Sequence, residues 1–170
     1  GLEKDPVTPG HDTDKILARL NPIKAKASSG LAVLRKITAS CEVIEPKLAE
    51  LLQKLIQTKE LASNQPWLAK QQFLSVRQNY LTLKTNSGRF DFPEMDKILP
   101  ASRSAATETK LLVKSIPVDN ASYNMAKEME NEMAMYSRQA AATRQMILRI
   151  ERQAQLFERL MLELESAFKI

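Results

Sequence analysis

Apolar residues in the last third of the chain recur at alternating intervals of four and three, with no Gly or Pro between residues 120 and 170. This heptad spacing is typical of a helix that packs along one seam against other helices. The seam positions are Met129, Met133, Tyr136, Ala140, Thr143, Ile147, Ile150, Ala154, Phe157, Met161, Leu164 and Phe168. A continuous helix over this range would be roughly 75 Å long, which exceeds the width of a compact globule of this size. The pattern therefore predicts an elongated helical bundle with a long C-terminal coiled-coil-type helix.

A second heptad stripe lies in the first third of the chain. Its members are Leu34, Ile37, Cys41, Ile44, Leu48, Leu51 and Leu55. Pro46 falls outside the stripe, so the pattern predicts one bent helix or two abutting helices over 24–62. This stripe offers an antiparallel mate inside the chain for about half of the C-terminal helix. The remainder is predicted to pack against a partner helix through Ile147, Ile150, Ala154, Phe157, Met161, Leu164 and Phe168.

Turn and capping signals divide the rest of the chain. Helices are predicted over 13–20, where Asn21-Pro22 gives a stop, over 65–84 after a Pro start signal, and over 102–115 before Pro117. An ordered loop is expected over 85–101 and a disordered leader over 1–12. Together these elements predict an all-α protein whose residues 13–170 form one bundle domain.

Composition agrees with a helical protein. Four glycines and 5% aromatic residues disfavour a β-sheet fold, whereas the abundant Ala, Leu, Met, Lys, Glu, Gln and Arg favour helices. One cysteine excludes an intramolecular disulfide and favours the cytosol or nucleus. The sequence offers neither a membrane span nor a signal peptide. A first residue other than Met, and an apolar pattern that continues to the last residues, suggest a piece of a longer protein.

The net charge of +5 is unevenly distributed, because residues 15–84 hold twelve Lys and Arg but only four Asp and Glu. Such a basic half is expected to attract an acidic partner, nucleic acid or an anionic membrane, or simply to keep the protein soluble. Residues 65–84 concentrate this feature. Lys70, Arg77 and Lys84 recur every seven residues within the apolar half of the predicted helix, beside Trp67 and Tyr80. These five residues are a candidate site for an acidic ligand; the alternative is that the bases pair with Glu residues of a neighbouring helix.

Catalytic, metal and cofactor sites are not predicted. His11 is the single histidine and lies in the predicted leader, while Cys41 occupies a core position of its helix. The carboxylates Glu128, Glu130 and Glu132 lie near the start of a helix, where the helix dipole favours negative charge. No nucleotide-binding, zinc-protease or thiol-redox motif is present.

The function that these patterns favour is a non-enzymatic scaffold subunit that assembles with other chains, as a homo- or hetero-oligomer, through coiled-coil packing. A first alternative is a basic binding module for nucleic acid, an acidic cytoskeletal polymer or an anionic membrane. A second is a bacterial secretion or envelope component.

Overall fold

The computed structural model describes the backbone of residues 9–170 and the side chains of residues 13–170. Within that range the chain forms four α-helices and one 3₁₀ turn, and no β-strand. The helices are α1 (Pro9–Leu61), α2 (Pro66–Asn86), α3 (Met95–Val113) and α4 (Tyr123–Phe168), with the 3₁₀ turn at Gly88–Phe90. The prediction of an all-α fold with a long C-terminal helix is confirmed. Residues 1–8 of the predicted leader lie outside the described residues, as does the side chain of His11. The prediction of a disordered leader is wrong for residues 9–12, which form the first turn of α1, where a proline such as Pro9 is tolerated.

α1 is one helix where the sequence predicted a break at Asn21-Pro22, and that prediction is wrong. Both Pro22 and Pro46 are exposed, so neither ring displaces a core residue. A proline inside a helix costs about 3 kcal/mol or more, because it removes a hydrogen bond and its ring crowds the preceding turn. Buried residues recur every seven positions through both prolines, and their burial offsets that cost. They are Thr13, Leu20, Ala27, Leu34, Cys41, Leu48 and Leu55.

α3 begins at Met95, seven residues before its predicted start, so the predicted loop 85–101 is too long. Pro100 falls within the predicted loop, yet it lies inside α3 on the exposed side. Met95 and Ile98 are buried in the first turn, and this anchoring holds the helix together despite the proline.

The connection between α2 and α3 contains a left-handed turn. Gly88, Arg89 and Phe90 have φ angles of 59°, 59° and 61°. Only glycine adopts this region without a steric cost, so the two residues after Gly88 are strained. The turn places the ring of Phe90 against Tyr80, with 6.1 Å between the ring centroids.

Internal contacts divide the chain into two compact units. Unit 1 comprises the described residues up to Arg35 together with Pro93–Ala142, and unit 2 comprises Lys36–Phe92 with Thr143–Ile170. Each unit therefore contains a stretch of α1, a stretch of α4 and one shorter helix. The prediction of a single domain over 13–170 stays a prediction.

Unit 1 is a three-helix arrangement of α1, α3 and α4. Its core contains Leu20 from α1, Leu112 and Val113 from α3, and Ala126 and Met129 from α4, with Ile116 following α3. A close approach occurs at Gly30, where the hydroxyl of Tyr136 occupies the space that a β-carbon would need. Glycine is therefore required at this position if α1 and α4 are to keep their separation.

Unit 2 packs α2 against α1 and α4, and here α1 and α4 run parallel. The hydroxyls of Thr38 and Thr143 lie 2.7 Å apart, and Lys59 reaches Glu163 at 3.3 Å. Residue numbers thus increase together along both helices. The predicted antiparallel pairing of α1 with α4 is therefore wrong. α2 runs antiparallel to both of these helices, and α1 and α4 run in the same direction.

Both predicted heptad stripes form core. All seven members of the α1 stripe are buried. Of the α4 stripe, only Met161 and Phe168 are half-buried and the remaining positions are buried.

Candidate protein-binding surface

The seam between α2 and α4 in unit 2 is built from aromatic side chains. Tyr80 and Phe157 are fully buried, and their rings stack with centroids 4.0 Å apart and planes 12° apart. Nearer the end of α4, Phe73 lies 5.7 Å from Phe168, centroid to centroid. Burial of these rings contributes apolar contact between the two helices and fixes their relative register.

Charged side chains border this aromatic seam. Lys84 Nζ lies 2.8 Å from Glu158 Oε2, which also accepts a hydrogen bond from the Tyr80 hydroxyl. About two helical turns away, Arg77 Nη1 lies 2.7 Å from Glu165 Oε2. The two ion pairs therefore connect α2 to α4 along one side of the seam.

The local environment shifts the pKa of both partners in the Tyr80–Glu158 hydrogen bond. Burial tends to raise the pKa of Glu158, but hydrogen bonds from Lys84 and Tyr80, with the charges of Lys84 and Arg89, lower it overall. Burial raises the pKa of Tyr80, and the hydrogen bond to Glu158 and its charge raise it further. Tyr80 is therefore a neutral donor and Glu158 an ionised acceptor.

The five residues predicted to receive an acidic ligand do not share one open site. Tyr80 is buried, and Arg77 and Lys84 are paired with carboxylates of α4. Lys70 is half-buried and makes no ion pair within the described part of the chain, and Trp67 is 74% exposed. The acidic groups that meet the bases of α2 are thus those of the chain's own α4.

The seven residues predicted to bind a partner helix face the interior of their own chain. Ile147, Ile150, Ala154, Phe157 and Leu164 are buried, and Met161 and Phe168 are half-buried. Their binding to another chain stays a prediction. The side of α4 that is open to a partner is the opposite one.

α2 carries a second apolar stripe outside the seam. Trp67 is 74% exposed, Leu81 is 42% exposed, and Leu74 between them is half-buried. We call these three residues the α2 outer stripe. Sequence reasoning placed Trp67 together with Tyr80 in one apolar half of the helix and did not separate the outward residues from the seam. Their own seven-residue spacing is the signal that could have separated them.

α4 carries a corresponding stripe on its outward side, which sequence reasoning missed. Its members, called the α4 outer stripe, are Arg144, Leu148, Arg152, Gln155, Arg159 and Leu162. They are spaced by four, four, three, four and three residues, which keeps them on one side of the helix. Arg152, Gln155 and Arg159 are exposed and Leu162 is 64% exposed, whereas Arg144 and Leu148 are half-buried.

Two concave regions lie elsewhere on the units. A groove between α1 and α2 in unit 2, with a volume of about 480 Å³, is lined by residues that include Val43, Lys47 and Leu83. A smaller cavity of about 200 Å³ in unit 1 lies beside Ala27, Ala105 and Tyr136. The second is below the usual size of a small-molecule site, roughly 300–1,000 Å³.

Cys41 is buried in the α1 stripe. Burial, assisted by the charges of Glu45 and Glu42, raises the pKa of its thiol to about 11. The side chain is therefore a protonated thiol that packs as a small apolar group. Among residues 13–170, no three or more His, Cys, Asp or Glu side chains are grouped so that they could hold a metal ion.

No helix in the described part of the chain combines the length and apolar character needed to cross a membrane. Comparison of the chain with protein-family models, with curated proteins and with solved structures gives no match.

Proposed function

We propose that this chain is a non-enzymatic scaffold subunit that assembles with other chains by packing of α-helices. The observation that carries the proposal is the α2 outer stripe, an apolar heptad stripe in which Trp67 and Leu81 are exposed and Leu74 is half-buried. In helical bundles such a stripe is the surface on which a further helix packs.

Trp67 is the strongest element of this surface. Tryptophan is enriched among the residues that dominate binding energy at protein interfaces. Covering the exposed part of its side chain would remove on the order of 100 Å² of apolar surface from water, which stabilises a complex by about 3 kcal/mol. Leu74 and Leu81 extend the contact along α2 by two further heptads, so the surface suits a helix rather than a small molecule.

The remaining parts of the proposal rest on the sequence. The chain has one histidine and none of the nucleophile or nucleotide-binding motifs, which supports a structural role over an enzymatic one. Its single cysteine is a buried thiol, which supports a location in the cytosol or nucleus.

The experiment is a measurement of native size in nuclease-treated extracts of cells that naturally make the protein, with the chain carrying an epitope tag. Wild-type chain is expected to elute in an assembly larger than its own 19.2 kDa. The variant Trp67→Asp/Leu81→Asp is expected to elute at smaller size, because buried carboxylates would replace the apolar contacts.

Leu111→Asp/Val118→Asp is the matched control. Both side chains are exposed, at 60% and 77%, but they belong to unit 1 and lie outside the stripe. This variant should keep the wild-type size. A wild-type chain that elutes as a monomer after nuclease treatment, or an assembly indifferent to Trp67 and Leu81, would contradict the proposal. Loss of the assembly on nuclease treatment alone would favour the basic binding module.

A further inference from the structure

We propose that the α4 outer stripe binds an acidic amphipathic helix of another protein, a partner whose Glu or Asp residues flank an apolar seam. This inference rests on the scaffold role proposed above and names the second surface and the chemistry of its partner.

The stripe is both apolar and basic. Arg144, Arg152 and Arg159 alternate with Leu148 and Leu162 along the same side of α4, over a length of roughly 27 Å at 1.5 Å per residue. Each arginine thus lies three or four residues, about one helical turn, from a leucine of the stripe. A partner helix that covers the leucines brings its flanking residues within reach of the guanidinium groups.

The arginines carry charge that no ion pair within residues 13–170 neutralises. Three of the four Glu residues on the unit 2 part of α4 are engaged by bases of other helices: Glu158 by Lys84, Glu163 by Lys59 and Glu165 by Arg77. Arg149 is engaged in turn by Glu45, with Nε lying 2.7 Å from Oε2. Within the described residues, Arg144, Arg152 and Arg159 form no ion pair. On the outward side of α4 these three arginines face one remaining carboxylate, Glu151, so the net charge of that side is positive and attracts negative charge.

The same charge argues against a second copy of this chain as the occupant. Unit 2 contains thirteen Lys and Arg and nine Asp and Glu, and α2 contains no acidic residue. Two copies that met through this side of α4 would bring arginine stripes together. An acidic partner gains the complementary attraction instead.

The leucines distinguish a helix from a phosphate polymer. Nucleic acid gains its affinity from phosphate contacts and would leave Leu162 and the exposed part of Leu148 uncovered. A helix with Leu at its seam positions and Glu beside them would cover the leucines of the stripe and pair with its arginines. Arginine binds carboxylates in a bidentate manner.

The test is a titration of the full chain with a synthetic peptide of about four heptads, with Leu at the seam positions and Glu at the flanking ones. Binding is expected, and it should weaken as salt is raised, because the ion pairs are exposed. The variant Arg152→Glu/Arg159→Glu should weaken it by about tenfold or more. The matched control Lys36→Glu/Lys47→Glu makes the same charge change at exposed positions of α1 and should change the dissociation constant by less than about threefold. Circular dichroism checks that both variants remain helical.

Three results would overturn the inference: no binding of the peptide, equal weakening by the two variants, or tighter binding of a duplex DNA that is lost in the α4 variant. If the native assembly persists in extracts while the peptide fails to bind, the scaffold role stands and this inference alone is lost. If the wild-type chain is monomeric in extracts, the proposed function itself fails.

Discussion

The ring of Tyr80 stacks on the ring of Phe157 at a centroid distance of 4.0 Å, and its hydroxyl donates a hydrogen bond to Glu158, the next residue of α4. Two consecutive residues of α4, Phe157 and Glu158, thus contact the ring and the hydroxyl of Tyr80 of α2. This relationship fixes the register of α2 on α4. Because the register is fixed, the buried seam and the outward stripes of both helices are defined together.

Replacing Tyr80 with Phe keeps the stacked ring and removes the hydrogen bond to Glu158. We expect a loss of about 1 kcal/mol in the free energy of unfolding, the usual net value for a hydrogen bond, since Lys84 still neutralises the carboxylate. Phe157→Ala, which removes the ring itself, should cost about 3–5 kcal/mol. Urea unfolding followed by circular dichroism measures both. A larger loss of unfolding free energy for Tyr80→Phe than for Phe157→Ala would contradict the description of the seam as chiefly aromatic.

The lowered pKa of Glu158 predicts a pH-dependent contribution to stability. In the unfolded chain Glu158 takes up a proton with the ordinary pKa of 4.5, whereas in the folded chain it does so only at lower pH. The contribution is therefore fully present above pH 4.5 and is lost as the pH falls through the folded pKa.

Glu158→Gln is accordingly expected to be less stable than wild type at pH 7, with a difference that narrows as the pH falls below 4.5. Urea midpoints at about pH 7, 4.5 and 3.5 measure this difference. Glu60→Gln is the control, because Glu60 is exposed and its carboxylate makes no ion pair in the described chain. A difference in urea midpoint between wild type and Glu158→Gln that stays constant with pH would contradict the lowered pKa of Glu158.

Gly30→Ala is expected to destabilise unit 1, because the added methyl group overlaps the hydroxyl of Tyr136. Overpacking of this kind costs about 1–3 kcal/mol, which outweighs the gain of about 1 kcal/mol in helix propensity. Tyr136→Phe removes the overlapping atom. The double variant should therefore be more stable than the sum of the two single changes predicts, and a double-mutant cycle by urea unfolding measures this coupling. Strict additivity would show that the close approach does not exist.

Cys41 is expected to react slowly with thiol reagents in the folded protein. With a thiol pKa of about 11, roughly one thiol in a thousand is ionised at pH 8, and the side chain is also buried. Modification by an aromatic disulfide reagent should become rapid only in denaturing urea. Rapid stoichiometric modification without denaturant would show that this part of α1 is open to solvent.

The core was predictable from the sequence because heptad spacing continues through Pro22 and Pro46 of α1 and along the whole length of α4. Leu34, Leu55 and Ile150 were placed in the core by spacing alone, and all three are buried. Helix ends were less predictable. Pro22 and Pro100 are ordinary stop signals, yet buried neighbours such as Leu20 and Ile98 hold the helix together across them.

Two features of the candidate surface depend on pairing that a local pattern does not contain. Heptad spacing is the same for parallel and antiparallel helices, so it could not reveal the direction of α4 relative to α1. Nor could it reveal that Glu158 and Glu165 lie opposite Lys84 and Arg77, which turns a predicted ligand site into an internal contact. Which side of α2 and of α4 faces outward became clear only once these ion pairs were known.

The central claim is that the heptad stripe of α4 in unit 2 is covered by α1 and α2 of the same chain, with α1 running parallel to α4, so that other chains meet the outward stripes. Its most direct test is disulfide formation between Thr38→Cys and Thr143→Cys in a Cys41→Ala background, since the two native hydroxyls are 2.7 Å apart. The control pair, Thr38→Cys with Glu163→Cys, is separated by roughly 30 Å along a parallel neighbour and comes together only if the helices are antiparallel. We predict an intramolecular disulfide for the first pair, at the 19.2 kDa mass of one chain, and none for the second. Cross-linking of the control pair, or disulfide-linked dimers in place of the intramolecular product, would contradict the account.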